Sequence, residues 1–260
     1  MGLNSTKSLV ILETPHDLAI EAANRFVALV REVMGENSTT QNGRFTIALS
    51  GGSTPEAMHR LLAQSPLKEQ VDWQHVHIFW GDERFVPPDD PASTQHMARE
   101  TLLNHVLIPA ANIHAMPTVG LSPTEAARQY EQTIIDFFAP SPPRFDLIFL
   151  GMGSDGHTAS LFPNQGIDVS DGRLVTAVFN APKPPPTRLT LTYNVINQAA
   201  NVIFLVAGTG KVDAIARAFG DEYDPVRFPT QGVRVSNGRL LWLLDEAAAQ
   251  QLSTDYILPD

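Results

Sequence analysis

The sequence predicts an α/β fold in three layers, αβα, with a mainly parallel sheet held between helices. Apolar β-like runs alternate with amphipathic helical patterns from one end of the chain to the other. Several of these runs end in glycine-rich turns, as strands do where a parallel sheet hands its chain to a helix. The third observation is size: 260 residues, 43% of them hydrophobic, suffice for one core, and residues 1–260 are read as a single domain.

Each element has its own warrant. Residues 9–12 form a first apolar strand, and residues 17–34 follow with Leu18, Ala22, Phe26 and Val30 on one helical face. Residues 45–49 are a second strand; Ser50-Gly51-Gly52-Ser53-Thr54-Pro55 turns it into a helix carrying Met58, Leu61 and Leu62. Residues 76–80 are a strand that ends at Gly81-Asp82-Glu83-Arg84, and Pro87, Pro88 and Pro91 stiffen the loop beyond it. Helical patterns span residues 94–106 and 123–138, the second opened by a Ser122-x-x-Glu125 capping box. Strands follow at 145–150, 174–179, 189–192, 202–207 and 240–244. A short helix follows Lys211, and Lys183-Pro184-Pro185-Pro186 reads as a stiff surface loop.

Charge and composition exclude several classes of function. The net charge is −10, from 28 acidic and 18 basic residues, which repels nucleic acid and anionic membranes. An anionic ligand would therefore need positive charge gathered locally, so particular Arg and Lys residues beside glycine turns carry information. With no cysteine, disulfides, thiolate metal sites and a cysteine nucleophile are out, and a cytoplasmic setting is expected. The N-terminus lacks a signal-peptide pattern and no apolar run reaches membrane-spanning length. His75 and His77 alternate on one strand but have no third ligand nearby, so neither a metal nor a cofactor is expected.

Three turns have the makings of an anion site. In Gly51-Gly52-Ser53-Thr54 the glycines let successive N–H groups point outward, a helix N-terminus adds partial positive charge, and two hydroxyls add donors. The same pattern also suits a plain strand–helix turn with an N-cap serine. Arg84 stands at a strand end, where Asp82 or Glu83 would hold its guanidinium. Gly208-Thr209-Gly210-Lys211 lacks the spacing and the Ser/Thr of a Walker loop, yet its lysine can meet a phosphate as a point charge; Arg188 can do likewise.

The most informative line is Phe145-Asp-Leu-Ile-Phe-Leu-Gly151-Met-Gly153-Ser-Asp155-Gly156-His157. Its glycines match a dinucleotide fingerprint, but the following strand ends at Asn180 instead of an acidic residue, and Asp155 and His157 occupy the place of a pyrophosphate. An Asp and a His at a strand's carboxyl end suit a general base. If the turn opens a helix, the positive end of the helix dipole keeps the His157 ring neutral at pH 7.

Taken together, Leu49–Pro55, Gly81–Arg84, Gly151–Pro163, Arg188–Thr192 and Gly208–Lys211 resemble the 6-phosphogluconolactonase family, within the wider glucosamine-6-phosphate isomerase/deaminase-like group. The motifs stand in that family's order over residues 45–215, and Asp-Gly-His-Thr-Ala-Ser-Leu-Phe-Pro is the most specific of them. The resemblance implies a Rossmann-like sheet of the sugar-phosphate isomerase/deaminase type and hydrolysis of 6-phospho-D-glucono-1,5-lactone. It implies His157 as base, Asp155 as its orienter, Arg84 at the phosphate or oxyanion, and Gly51, Gly52, Ser53, Thr54, Arg188 and Lys211 at the phosphate. Deaminases carry a Phe-Asn-Glu-Pro-like stretch after their histidine; here Ser160-Leu161-Phe162-Pro163 has no carboxylate, which favours the lactonase. A phosphosugar lactone is the expected partner, with no nucleic acid or membrane, and the protein a monomer or small homo-oligomer. The alternatives are a deaminase/isomerase and a non-enzymatic sugar-phosphate sensor.

Overall fold

A computed structural model describes residues 7–35, 43–166 and 172–252. Six strands form a parallel sheet in the order β1-β9-β8-β5-β2-β3: β1 (Lys7–Leu12), β2 (Phe45–Leu49), β3 (Val76–Trp80), β5 (Leu147–Leu150), β8 (Asn201–Val206) and β9 (Arg239–Asp245). Buried on both faces, β2 and β5 are apolar almost throughout, as inner strands of a parallel sheet must be.

Helices cover both faces. On β2, Phe45 packs edge-on against Phe26 of α1 (Pro15–Met34), whereas Phe79, in register with Ala48, packs against Tyr130 and Phe137 of α4 (Pro123–Phe138). Side chains alternate along a strand, so α1 and α4 lie on opposite faces. The Ser122–Glu125 capping box of α4 forms as the sequence predicts. Within the parallel sheet, Phe204 of β8 stacks on its register partner Trp242 of β9, 3.9 Å between ring centres.

Strand order fixes where a ligand fits. From β2 the chain moves outward through α2 (Ser53–Leu62) to β3, at one edge; from β5 it moves the other way, to β8 and β9. Their following loops therefore part at the carboxyl ends of β2 and β5, leaving a crevice at this switch point.

Three expectations are corrected. Asp82–Arg84 is not a strand's trailing loop but a strand itself, β4, in a second, antiparallel sheet β4-β7-β6 with β7 (Arg188–Leu191) and β6 (Val175–Val178). The small sheet shares the main core through Val175, Leu189 and Leu191. The helical pattern of residues 94–106 divides into α3 (Thr94–Thr101) and a 3-10 turn at Leu103–His105, because Leu102 leaves helical geometry at φ −139°; Ala98, Leu102, Leu103 and Val106 stay buried across the break. His75 and His77 do not share a strand: His75 ends the 3-10 turn Trp73–His75 and pairs with Asp72 at 2.8 Å, while His77 lies in β3, 3.2 Å from His114. The remaining α-helices are α5 (Tyr193–Ile196) and α6 (Val212–Ala218) among the described residues.

One buried group ties stability to pH. His59 of α2 is fully buried; its Nδ1 lies 3.2 Å from the Thr101 hydroxyl, which itself donates to the Met97 carbonyl, so Nδ1 carries the proton. Its Nε2 has no hydrogen-bond partner among the described residues, and burial pushes its pKa down to about 4. The unfolded chain then binds the proton first, so stability is full above about pH 6.5 and falls as the pH drops towards 4. The expected loss from this group is on the order of 3 kcal/mol. Urea midpoints at pH 7 and 4.5 measure it: His59→Leu should lose less on acidification than the parent, and an equal loss in both would clear His59 of the effect.

Candidate active site

The crevice between β2 and β5 holds a cavity of about 330 Å³, near the lower end of the ~300–1,000 Å³ usual for small-ligand sites. Larger clefts of about 630 and 410 Å³ lie elsewhere and contain neither Asp155 nor His157.

The turn after β5 builds the core of the site. Gly156 takes φ 83°, and the Gly153 N–H donates to the His157 carbonyl at 2.8 Å, folding Asp155 and His157 back onto one another. His157 Nδ1 then lies 2.5 Å from Asp155 Oδ1, and the ring rests 4.5 Å from the Phe162 ring. A Cβ on Gly153 would collide with the His157 ring and the Asp155 carboxylate, so this position must be glycine. No helix follows the turn; Thr158 bridges Leu161 instead, which corrects the expected helix dipole at His157. The ring's electrostatic partner is Asp155. Burial alone would raise the Asp155 carboxyl, but the hydrogen bond and charge of His157, with Lys183 at 3.6 Å, outweigh it and hold the group well below the usual carboxylate range. Asp155 is thus a fixed anion that receives Nδ1–H, and Nε2, which makes no hydrogen bond among the described residues, is left open.

Positive groups close the site. Gly51 and Gly52 line one wall; a Cβ on Gly51 would meet the Thr94 methyl, and Gly52 takes φ 112° as the N-cap of α2. Ser53 is the first residue of α2 and not its N-cap, and it and Thr54 stand outside the cavity lining. Arg84, Arg188 and Lys211 line the cavity as the sequence suggests. Arg84 lies directly opposite Arg188 on the β4–β7 ladder, an arrangement that costs energy unless negative charge lies near. Burial first, then Arg84, lowers the Arg188 pKa, while Asp82 and Glu83 act the other way. Burial and then Lys183 similarly lower Lys211, whose Nζ donates to the Met152 carbonyl at 2.7 Å.

Two details depart from the sequence reading. Neither Asp82 nor Glu83 holds the Arg84 guanidinium, which donates to the Ala92 carbonyl at 2.6 Å. Glu83, wholly buried, instead accepts from the backbone N–H groups of Arg84, Thr94 and Gln95 and from the Ser93 hydroxyl, anchoring the start of α3. Lys183, which the sequence left in a surface loop, also lines the cavity. Arg188 draws it in: its Nε donates to Pro185 O at 2.7 Å, and its Nη2 to Pro184 O and Lys183 O at 3.1 and 3.2 Å. The lysine between prolines, five residues before an arginine, was the available signal.

Among the described residues no group of three or more His, Asp or Glu side chains forms a metal site, and no helix is long and apolar enough to cross a membrane. The family of glucosamine-6-phosphate isomerases/6-phosphogluconolactonase matches residues 13–242. The chain belongs to this family. Within it, the chain is similar to the 6-phosphogluconolactonase of Nostoc sp., 46% identical over 84% of this chain and 89% of the relative. The 6-phosphogluconolactonase of Mycobacterium tuberculosis is 44% identical over 81% of this chain and 86% of the relative. Among solved structures, 6-phosphogluconolactonase from Trypanosoma cruzi superposes with TM-score 0.83 at 28% identity, over 97% of this chain and 99% of that one. The family description names both isomerases and lactonases, and the two relatives and the structural neighbour just described are 6-phosphogluconolactonases. The stretch Ser160–Pro163 supplies no carboxylate behind His157.

Proposed function

We propose that the chain hydrolyses 6-phospho-D-glucono-1,5-lactone to 6-phospho-D-gluconate, the step that opens the lactone in the oxidative pentose phosphate pathway. The observation that carries this reading is a histidine with Nδ1 bound to a carboxylate and Nε2 open, beside a small cavity lined by Arg84, Lys183, Arg188 and Lys211. A lactone is an activated ester, so it needs a base for water and positive charge for the oxyanion, with no covalent nucleophile.

In this mechanism His157 Nε2 takes a proton from water as its oxygen attacks C1. Asp155 keeps the ring oriented and stabilises the positive charge it gains. The tetrahedral oxyanion collapses, the C1–ring-oxygen bond breaks, and the Nε2 proton passes to the departing oxygen. The products are a carboxylic acid, which ionises, and a free C5 hydroxyl. The Gly51–Gly52 backbone, Lys211, Lys183 and the remaining face of Arg188 are the reading's phosphate ligands, and Ser53 and Thr54 contribute only at the mouth. Arg84 serves the phosphate or the oxyanion. Phosphate binding orients C1 towards His157, so remote contacts assist the chemical step. The net charge of −10 supports a reading without nucleic acid as partner.

Turnover of freshly generated lactone, corrected for spontaneous hydrolysis, tests the activity; a rate equal to the spontaneous one would overturn it. The phosphate assignment has its own test. Lys183→Met and Lys211→Met should each raise KM about tenfold or more, the loss of one charge-assisted hydrogen bond, with kcat less affected. An unchanged KM in both variants would move the phosphate elsewhere.

A further inference from the structure

The mechanism leaves one buried carboxylate of the cavity without a substrate contact. Asp82 lines the cavity, is only 7% exposed, and is a carboxylate in a pocket otherwise suited to an anion. Its Oδ2 accepts from the Ser160 hydroxyl at 2.7 Å, and Ser160, itself fully buried, is fixed by its N–H to the Thr190 hydroxyl at 3.1 Å. Its Oδ1 makes no hydrogen bond among the described residues, and Asp82 forms no ion pair with the neighbouring Arg84 or Arg188. An ionised carboxylate only accepts hydrogen bonds, and this oxygen, open to the cavity, can take one from a ligand. A phosphate or a developing oxyanion offers none and is repelled; a sugar hydroxyl fits.

Place in the fold narrows which hydroxyl. Ser160 lies three residues beyond His157 in the same turn, so the Ser160–Asp82 bond ties β4 to the segment that carries the base. The lactonase reading puts the lactone carbon at His157, and the hydroxyl beside that carbon is the one next to the base in the cavity that Asp82 also lines. We propose that Asp82 is a specificity-determining residue whose free carboxylate oxygen accepts a hydrogen bond from the substrate's C2 hydroxyl. This rests on the lactonase reading above. Asp82 thereby holds the polyol away from the cationic wall and keeps the phosphate from entering in reverse. A site built to bond a hydroxyl rejects the analogue that lacks it, because its own acceptor is then left bare.

The experiment compares 6-phosphogluconolactone with its 2-deoxy analogue, each generated fresh from the matching aldose 6-phosphate. The parent protein should favour the hydroxylated lactone by about 100-fold in kcat/KM. Asp82→Ala should lose most of that preference by slowing the hydroxylated substrate, with the 2-deoxy rate within about threefold of the parent's. Asp82→Asn keeps an acceptor for Ser160 at nearly the same volume, so it carries the test if the alanine variant does not fold, and its preference should fall at least tenfold. Equal losses on both lactones would assign Asp82 a structural role and overturn the proposal. So would a parent protein that turns over both lactones alike, a result that leaves the lactonase reading intact. Failure of the parent to hydrolyse either lactone would sink the lactonase reading itself.

Discussion

His157→Ala should lower kcat by about 10²–10⁴-fold while binding 6-phosphogluconate nearly as the parent does. The size follows from what is removed. Nε2 is the open nitrogen of a ring that Asp155 fixes at 2.5 Å through Nδ1, and the cavity's other titratable linings are cations and Asp82. Cations can steady an oxyanion but cannot take a proton from water at neutral pH. In the proposed reading phosphate affinity rests on groups of other segments, so product binding should survive. Asp155→Asn offers a second reading of the same pair. Its amide can present a donor to Nδ1, which would invert the tautomer and leave Nε2 protonated, so kcat should fall steeply with KM nearly unchanged. Initial rates corrected for spontaneous hydrolysis, with product titration by calorimetry, measure both. A His157→Ala enzyme with kcat within threefold of the parent would remove His157 from the role of base.

Glu83→Ala should cost about 3–5 kcal/mol of stability, the largest loss expected from any polar side chain of the site. The four donors that converge on this carboxylate lie between 2.6 and 2.9 Å from it. Two of them, the N–H groups of Thr94 and Gln95, open α3, while the Ser93 hydroxyl covers the N–H of His96. Truncation strands these donors inside the protein, where water cannot replace the acceptor. Glu83→Gln should also destabilise, because its amide NH2 faces donors. The damage should reach the site, since Thr94 packs on Gly51 and the Ala92 carbonyl holds Arg84. Denaturant midpoints and KM measure the two effects; a stability change under about 1 kcal/mol would show that the carboxylate's four bonds are replaced by water.

Much of this site is legible in the chain because its chemistry is local. Gly153, Asp155, Gly156 and His157 lie within five positions, and glycine's backbone freedom alone folds them into contact. Helix caps are equally local, and the Ser122–Glu125 box forms as read. Periodicity finds the parallel strands because a buried strand shows an apolar run, whatever its neighbours. The dipole expected at His157 fails for a related reason: a glycine turn after a strand usually opens a helix, but here the residues beyond it pair back on themselves.

What the chain alone determined about this protein is its alternation of strands and helices and the Asp155–His157 pair, for each depends on residues close together in sequence. Tertiary structure decided the rest. Three charged residues in a row read as the end of a strand, yet pairing with β7 makes Asp82–Arg84 a strand of a second sheet, sets Arg84 opposite Arg188 and buries Glu83. Asp82 finds Ser160 across 78 positions, and Lys183 enters the cavity only because Arg188 binds three carbonyls of its loop. A side chain's neighbours across a sheet are set by register, and register is a property of the packed core that no short stretch of sequence contains.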